Sequence, residues 1–160
     1  MNSGATAPEW DTDDTGTTIT TVRKTSDETV NNSTVLQNDD VLLLALAANE
    51  VWSFSVFIGH DGNATADFQA AFTIPTGATI RWGCPGEKIG LSDEAATCAS
   101  ITASGTAEVF GTGASSRHIF FGGIVVNGSN AGNLQLQWAQ QTATVVDTKV
   151  LANSYLEAHK

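Results

Sequence analysis

The stretch GIVVNGSNAGNLQLQWAQ, residues 123–140, decides the fold class of this chain. It contains two apolar segments separated by a turn rich in glycine and asparagine. After the turn, Leu134, Leu136 and Trp138 alternate with polar residues, so three large apolar side chains share one face of a strand. The stretch therefore predicts a β-hairpin, and we expect the rest of the chain to be organised around it.

The polar residues of this second strand are amides. Asn133, Gln135 and Gln137 lie between the apolar positions, where a solvated strand face is usually rich in Lys and Glu. A row of uncharged amides indicates a face that contacts protein as well as water. Gln135 and Gln137 are therefore candidate assembly residues.

The composition favours an all-β fold. The chain has 160 residues, which fits one domain, and only 15% of them are charged. No window has the three- and four-residue apolar spacing of a helix, whereas short alternating segments recur along the chain. We predict an antiparallel β-sandwich, jelly-roll-like, with about eight to ten short strands.

Two further patterns predict specific strand arrangements. The alternation of residues 51–59, the Asp61-Gly62 turn signal and the alternation of residues 68–74 together predict a second antiparallel hairpin. Residues 35–36 and 41–46 are predicted as strands on either side of a turn at residues 37–40.

Three tryptophans fall on inward faces and are expected in the core: Trp52, Trp82 and Trp138.

The segment 118–127 is apolar on both faces. Ile119, Phe121 and Val125 alternate with a second apolar set that includes Phe120 and Ile124. Such a strand is expected to be central and to be covered on its outer side as well. The cover would be either the N-terminal arm or another subunit, which makes Phe120 and Ile124 candidate interface residues.

Residues 1–16 have no strand pattern and contain four acids and no base. We interpret them as an extended acidic N-terminal arm that precedes a β-sandwich domain at residues 17–160. Trp10 is the exception in this polar segment, and it indicates a point at which the arm docks. The sequence leaves open whether it docks on a neighbouring subunit or on its own domain.

The charge balance argues against two classes of partner. The formal net charge is −10, with seven Lys and Arg residues against seventeen Asp and Glu residues, so we expect no binding to nucleic acid. No stretch approaches eighteen apolar residues and the first ten residues lack the pattern of an export signal. We therefore expect that the protein is made in the cytoplasm and does not associate with a membrane.

Cys84 and Cys98 flank a glycine-rich connection, and they are either a disulfide or two reduced thiols. If they are paired, the bond closes a short loop and stabilises the fold by about 3 kcal/mol in the chain-entropy model.

The sequence offers no catalytic or metal-binding pattern. His60, His118 and His159 lie far apart and are expected at the surface or in turns, and no GxSxG motif or Cys/His cluster is present. The acidic run at residues 11–16 begins like a calcium loop, but Val22 stands where the bidentate Glu is required. We expect a protein that is not an enzyme and that has no metal and no cofactor.

Several strings, in this order and spacing, resemble a family of small virion structural proteins of tailed phages. The resemblance covers about residues 20–160, and it rests on KTSDETV (24–30), LQNDD (36–40), ANEVW (48–52), PTGA (75–78), LQLQWAQ (134–140) and SYL (154–156).

This resemblance implies a jelly-roll β-sandwich that assembles on the virion, with capsid decoration as the commonest role. It implies a homotrimer on the capsid surface whose partner is the major capsid protein, and it supplies no catalytic residues. A tail or baseplate protein would have the same fold, and a carbohydrate-binding β-sandwich module is the alternative from another class.

Overall fold

The computed structural model of the chain describes residues 18–84, 100–112 and 116–160, together with the backbone of two short strands between them. The regular secondary structure of these residues consists of β-strands alone, and all the strand pairs that they form are antiparallel. In chain order the strands are β1 (Ile19–Arg23), β2 (Glu28–Val30), β3 (Gln37–Leu46), β4 (Val51–Asp61), β5 (Phe68–Thr73), β6 (Thr79–Gly83), β7 (Glu87–Lys88), β8 (Ala96–Thr97), β9 (Glu108–Phe110), β10 (Arg117–Val126), β11 (Gly132–Gln140), β12 (Thr148–Val150) and β13 (Tyr155–His159).

Two sheets pack as a sandwich, which confirms the predicted fold class. Sheet I has the order β1-β13-β4-β10-β6, and β12 joins it by pairing with both β4 and β2. Sheet II has the order β3-β11-β5-β9. The strands β7 and β8 pair only with each other.

Eight of the strands follow jelly-roll connectivity. The pairs are β1 with β13, β3 with β11, β4 with β10 and β5 with β9, so the first strand of the eight pairs with the last, the second with the seventh, and so on inwards. Successive strands of this set alternate between the two sheets, except that β5 and β9 both belong to sheet II, where they pair with each other. The eight-strand roll is the product of this nested pairing.

Both predicted hairpins are wrong. In residues 123–140, β10 belongs to sheet I and β11 to sheet II, so the turn at Asn127 is a crossing between sheets, with the Asn127 side-chain amide donating to Ala47 O and Asn130 O. β4 and β5 likewise lie in opposite sheets. The alternation identified the buried face of each strand correctly. It does not show whether two such strands pair within one sheet or pack face to face across the core.

Phe72 of sheet II is at the centre of the aromatic core. Its ring lies 5.3 Å from Phe54, 5.1 Å from Trp82 and 6.0 Å from Phe121 between centroids, and all three partners belong to sheet I. The interplanar angles are 61°, 79° and 88°, which are the edge-to-face arrangements that aromatic pairs prefer. Trp52, Trp82 and Trp138 are all buried, as predicted.

β3 runs without interruption through the segment that was predicted as a turn. Asp39 is buried there, and its carboxylate accepts hydrogen bonds from the backbone N–H groups of Val41 and Leu42 and from Lys24 Nζ at 2.8 Å. Lys24 is itself buried and also contacts Glu28. Burial favours the neutral amine and so acts to lower the pKa of Lys24. The hydrogen bonds to Asp39 and Glu28 outweigh burial and hold this pKa above its usual value. Asp39 of β3 therefore takes part in a buried ionic contact with Lys24, which follows β1, whereas Asp40 is exposed.

Two adjacent glycines of β10 differ sharply in the space around them. A Cβ atom on Gly123 would lie 2.6 Å from the Arg81 carbonyl oxygen and 2.7 Å from the Phe54 ring, whereas a Cβ on Gly122 would have no atom within 4 Å. Gly123 points into the sandwich, and Gly122 lies on the outer face of sheet I.

We expect Gly123→Ala to lower the free energy of unfolding by about 1–3 kcal/mol, because the backbone of β6 must move to admit the methyl group. Gly122→Ala is the matched control, and it should leave the stability unchanged or raise it by less than about 1 kcal/mol. Urea unfolding followed by tryptophan fluorescence measures both variants. Equal stabilities for the two variants would contradict the packing described for Gly123.

Candidate functional site

The outer face of sheet I is the main candidate for an interaction site. On β10, Ile119, Phe121 and Val125 are buried in the sandwich, while Phe120, Ile124 and Val126 are 40–43% exposed. Val51 at the start of β4 is 47% exposed and lies directly opposite Val126. The doubly apolar strand is therefore central, and in the described part of the chain its outer side is open to solvent.

The side chains of this face form transverse rows, because directly paired residues of neighbouring strands point the same way. One row is aromatic and contains Tyr155, Phe57 and Phe120, with His118 beside it. Phe57 stacks on Tyr155 with centroids 5.7 Å apart and on His118 with centroids 5.6 Å apart. These contacts fix the rings across three strands.

The next row is made of small residues on β4, β10 and β6, and it ends on β13 with Glu157, which pairs with Ser55. Ser55 of β4 pairs with Gly122 of β10, and Gly122 pairs with Gly83 of β6. Beyond it, Ser53 pairs with Ile124 and Ile124 pairs with Arg81. The missing side chains of the two glycines leave a low strip between the aromatic row and the Ile124–Arg81 pair.

The low strip deepens into an open depression of about 360 Å³ at the β10–β6 pair. It is lined by Arg81, Gly83, Gly122 and Ile124, and by Trp82, Ser100 and Gly123. The surface is mainly apolar, and Arg81 contributes a guanidinium at its edge. We call this feature the glycine depression.

The structure places the predicted assembly residues on different sheets. Phe120 and Ile124 lie together on the outer face of sheet I, and Gln137 is partly exposed on sheet II, where its Nε2 donates to Asn38 Oδ1 at 2.8 Å. Trp10 lies outside the described residues.

Gln135 is only 8% exposed and is not available to a partner, contrary to the prediction. Its Nε2 donates to Asp39 O at 2.9 Å and to Leu136 O at 2.8 Å. The reason is a register shift between Gln135 and Gln137 in the pairing of β11 with β3, a local irregularity that the amide alternation does not reveal.

His60 is buried rather than at the surface, contrary to the prediction. Its ring stacks on Phe68 with centroids 5.0 Å apart, and its Nδ1 has no hydrogen-bond partner among the described residues. Burial, with the nearby positive charge of Arg117, lowers the pKa of His60 to about 4. The sequence contained a signal for this burial, since residue 60 continues the inward phase of Trp52, Phe54, Val56 and Ile58.

The remaining chemical groups form no obvious site. Within the described residues, no group of three or more His, Cys, Asp or Glu side chains could hold a metal ion. Cys84 is not a free thiol, and because Cys98 lies outside the described residues the pairing of these two cysteines stays a prediction. In the same described part of the chain, no helix is long and apolar enough to cross a membrane.

Comparison with known proteins identifies no family for this chain. No protein-family model matches it, and no curated protein matches it. The resemblance to tailed-phage virion proteins therefore stays a prediction.

Among solved structures, the chain is weakly similar to the VP2 subviral particle of infectious bursal disease virus, with 7% identity and a TM-score of 0.21 over 90% of this chain. It is also similar to the structures of the Gx strain, with 10% identity and a TM-score of 0.18 over 89% of this chain, and of the Gt strain, with 7% identity and a TM-score of 0.17 over 91%. The matches cover 39%, 40% and 38% of those viral chains, so this chain spans about two fifths of their length. At these scores they give no argument for function.

Because Gln135 and Gln137 have different surroundings, we expect a charge at each position to have a different effect on the free energy of unfolding. We expect Gln135→Glu to lower the free energy of unfolding by about 2 kcal/mol or more, because it replaces a buried donor with a charge next to the Asp39 carbonyl oxygen. Gln137→Glu is the matched control and should change stability by less than about 0.5 kcal/mol. Chemical unfolding of both variants tests this, and equal effects would contradict the buried position of Gln135.

The low pKa of His60 predicts a loss of stability in acid. Between about pH 6.5 and pH 4 the unfolded chain binds a proton at this histidine that the folded chain excludes, so stability falls as the pH is lowered. The contribution between pH 7 and pH 5 should be about 2 kcal/mol.

The measurement is the difference in unfolding free energy between the wild-type protein and His60→Gln at each pH, which cancels the titration of the carboxylates. The difference should shrink or reverse towards pH 5. A flat profile of this difference against pH would refute a depressed pKa of His60.

Proposed function

We propose that this chain is a structural protein of a virus particle. The specific form of the proposal is a capsid decoration protein of a tailed phage, which binds the outside of the assembled head as a homotrimer and stabilises it. The jelly-roll connectivity and the sequence strings that resemble tailed-phage virion proteins support this proposal. The observation that carries it is the exposed apolar face of sheet I.

That face is unusual for a protein surface that contacts only water. Val51, Phe120, Ile124 and Val126 are each at least 40% exposed, and they lie on two adjacent strands. Contiguous apolar patches on a protein surface commonly mark sites of interaction with other proteins. Covering the exposed half of one such side chain contributes about 1 kcal/mol, so a contact over the whole face would support a specific association.

The aromatic row gives this face a fixed shape. Because Tyr155, Phe57 and His118 stack on one another, their rings lose little conformational freedom when a partner covers them. A rigid, largely apolar surface is suited to a contact between copies of the chain. We infer that this contact forms the trimer and that the major capsid protein binds another part of the surface.

The proposed mechanism of stabilisation is mass action. A trimer that binds only the assembled shell lowers the free energy of that state and of no other, so the shell becomes harder to open as the occupancy rises. The net charge of −10 is consistent with a position outside the shell, since a protein that faces the packaged genome is expected to carry an excess of Lys and Arg.

The alternatives differ in what supports them. A tail or baseplate protein would use the same face in the same way. A carbohydrate-binding module would need an exposed aromatic platform, but the three tryptophans in the described residues are buried. The aromatic row could still bind a sugar ring, so a glycan array with the purified protein is a direct test of this alternative.

We expect Ile124→Asp to convert the protein from a trimer to a monomer while its melting temperature changes little, because the side chain contacts solvent in the isolated subunit. Multi-angle light scattering coupled to size-exclusion chromatography measures the mass. Val145→Asp is the matched control, since Val145 is 82% exposed and lies away from this face, and it should stay trimeric.

Two outcomes would contradict the proposal. A wild-type monomer at all accessible concentrations would argue against the trimer, and a trimeric Ile124→Asp variant would argue against this face as the contact. Cryo-electron microscopy of the particle that contains the protein tests the decoration role separately.

A further inference from the structure

The glycine depression has the shape and chemistry of a receptor for one large apolar side chain. Gly122 and Gly83 form its floor, and Ile124 closes one side. Its volume of about 360 Å³ exceeds that of any single side chain, so an aromatic ring and part of its backbone can enter. A Cβ atom built on Gly122 meets no atom within 4 Å, which means that the described residues leave this space unfilled.

Arg81 adds a preference for negative charge. It is exposed at the edge of the depression, opposite Ile124, and it makes no ion pair with any residue that the structure describes. In a chain with seventeen acids and seven bases, an exposed guanidinium that lies beside an apolar space and has no acidic partner among the described residues is a distinctive combination. The depression therefore fits an aromatic side chain with a carboxylate next to it.

The chain contains one such group outside the described residues. Trp10 is flanked by Glu9 and Asp11, and residues 1–17 include four acids and no base. Tryptophan gains the most from burial of a ring in an apolar site, and either flanking carboxylate could pair with Arg81.

The point at which this segment joins the described chain is close enough. Thr18 precedes β1, the edge strand of sheet I, and its carbonyl oxygen accepts a hydrogen bond from the Lys160 N–H. The space between β10 and β6 lies three to four strands away, or about 14–19 Å. Residues 10–18 span up to about 26 Å when extended, so Trp10 can reach the depression of its own subunit.

We propose that residues 9–11 dock on the outer face of sheet I of the same subunit, with the Trp10 ring in the glycine depression and a flanking carboxylate paired with Arg81. A tethered segment competes at an effective concentration in the millimolar range, which favours docking within a subunit over docking between subunits when both are geometrically allowed. Filling the depression also joins the aromatic row to Ile124 as one continuous apolar surface. The inference does not depend on the proposed function, because it applies equally to a monomer.

A disulfide-trapping experiment tests the proposal on the full chain. Thr12→Cys and Ser53→Cys are introduced together, so that Trp10, Arg81 and the glycines stay in place; Ser53 is exposed and lies beside Ile124. After mild oxidation, tryptic peptides are analysed by mass spectrometry for the 12–53 linkage. Mixing ¹⁵N-labelled and unlabelled protein before oxidation distinguishes linkage within a chain from linkage between chains.

The expected result is a 12–53 linkage within single chains, at a yield well above that of the control pair Thr12→Cys with Val145→Cys. Trp10→Ala or Gly122→Leu in the 12–53 background should lower the yield several-fold, because each removes the filled depression, and Arg81→Glu should lower it to a smaller extent. Ser53, Arg81 and Val145 are exposed, and residues 10 and 12 lie outside the described residues. Gly122 is half-buried, but a Cβ atom built on it meets no atom within 4 Å, so each variant is expected to fold.

Three outcomes would overturn the proposal. They are a 12–53 yield no higher than that of the control pair, a yield that Trp10→Ala leaves unchanged, and a linkage found mainly between labelled and unlabelled chains. The oligomeric mass of the same samples is measured independently, so failure of the docking inference and failure of the proposed trimer are distinguishable.

Discussion

The edge-to-face contacts of Phe72 with Phe54, Trp82 and Phe121 hold the two sheets of this protein together, and the other features of the fold depend on them. They set the separation of the sheets and the direction in which β4, β6 and β10 present their side chains. Gly123 is required because Phe54 and the β6 backbone occupy the space next to it. With the inner face so filled, the alternation of β10 leaves Phe120, Ile124 and Val126 on the outside.

The exposed apolar face of sheet I therefore follows from the sequence of β10. Packing in the sandwich requires apolar residues on one side of this strand only, yet β10 is apolar on both sides. On this face a row of Ser55, Gly122 and Gly83 lies beside a row of stacked rings, so the outer surface varies in side-chain size as well as in polarity.

The sequence predicted the faces of the strands better than their partners. The alternation of Trp52, Phe54, Val56 and Ile58 located a buried face correctly, as did that of Leu134, Leu136 and Trp138. It could not show that β10 and β11 lie in different sheets, because a period of two contains no information about which strand lies alongside.

Gln135 and His60 were misjudged for different reasons. Gln135 is buried where the pairing of β11 with β3 is irregular, with its amide bound to the Asp39 and Leu136 carbonyl oxygens, and local sequence does not encode this irregularity in a recognisable way. His60 was judged by residue type although its position continued the buried series. The glycine depression escaped prediction because it is formed by residues that become neighbours only through the register of β4, β10 and β6.

The position of β13 has a consequence for the kinetics of folding. This strand lies between β1 and β4, and its Leu156 and Ala158 are fully buried, so the interior of sheet I is complete only when β13 has paired with both neighbours. The pairing of Ile19 with His159 joins two residues that are 140 positions apart in the chain, which carries a large entropic cost before any contact is gained. Until β13 pairs with both neighbours, β1 lacks the partner that it has in its sheet and β4 has an open edge. Folding is therefore expected to be slow, with a risk of aggregation at these open edges until β13 is in place.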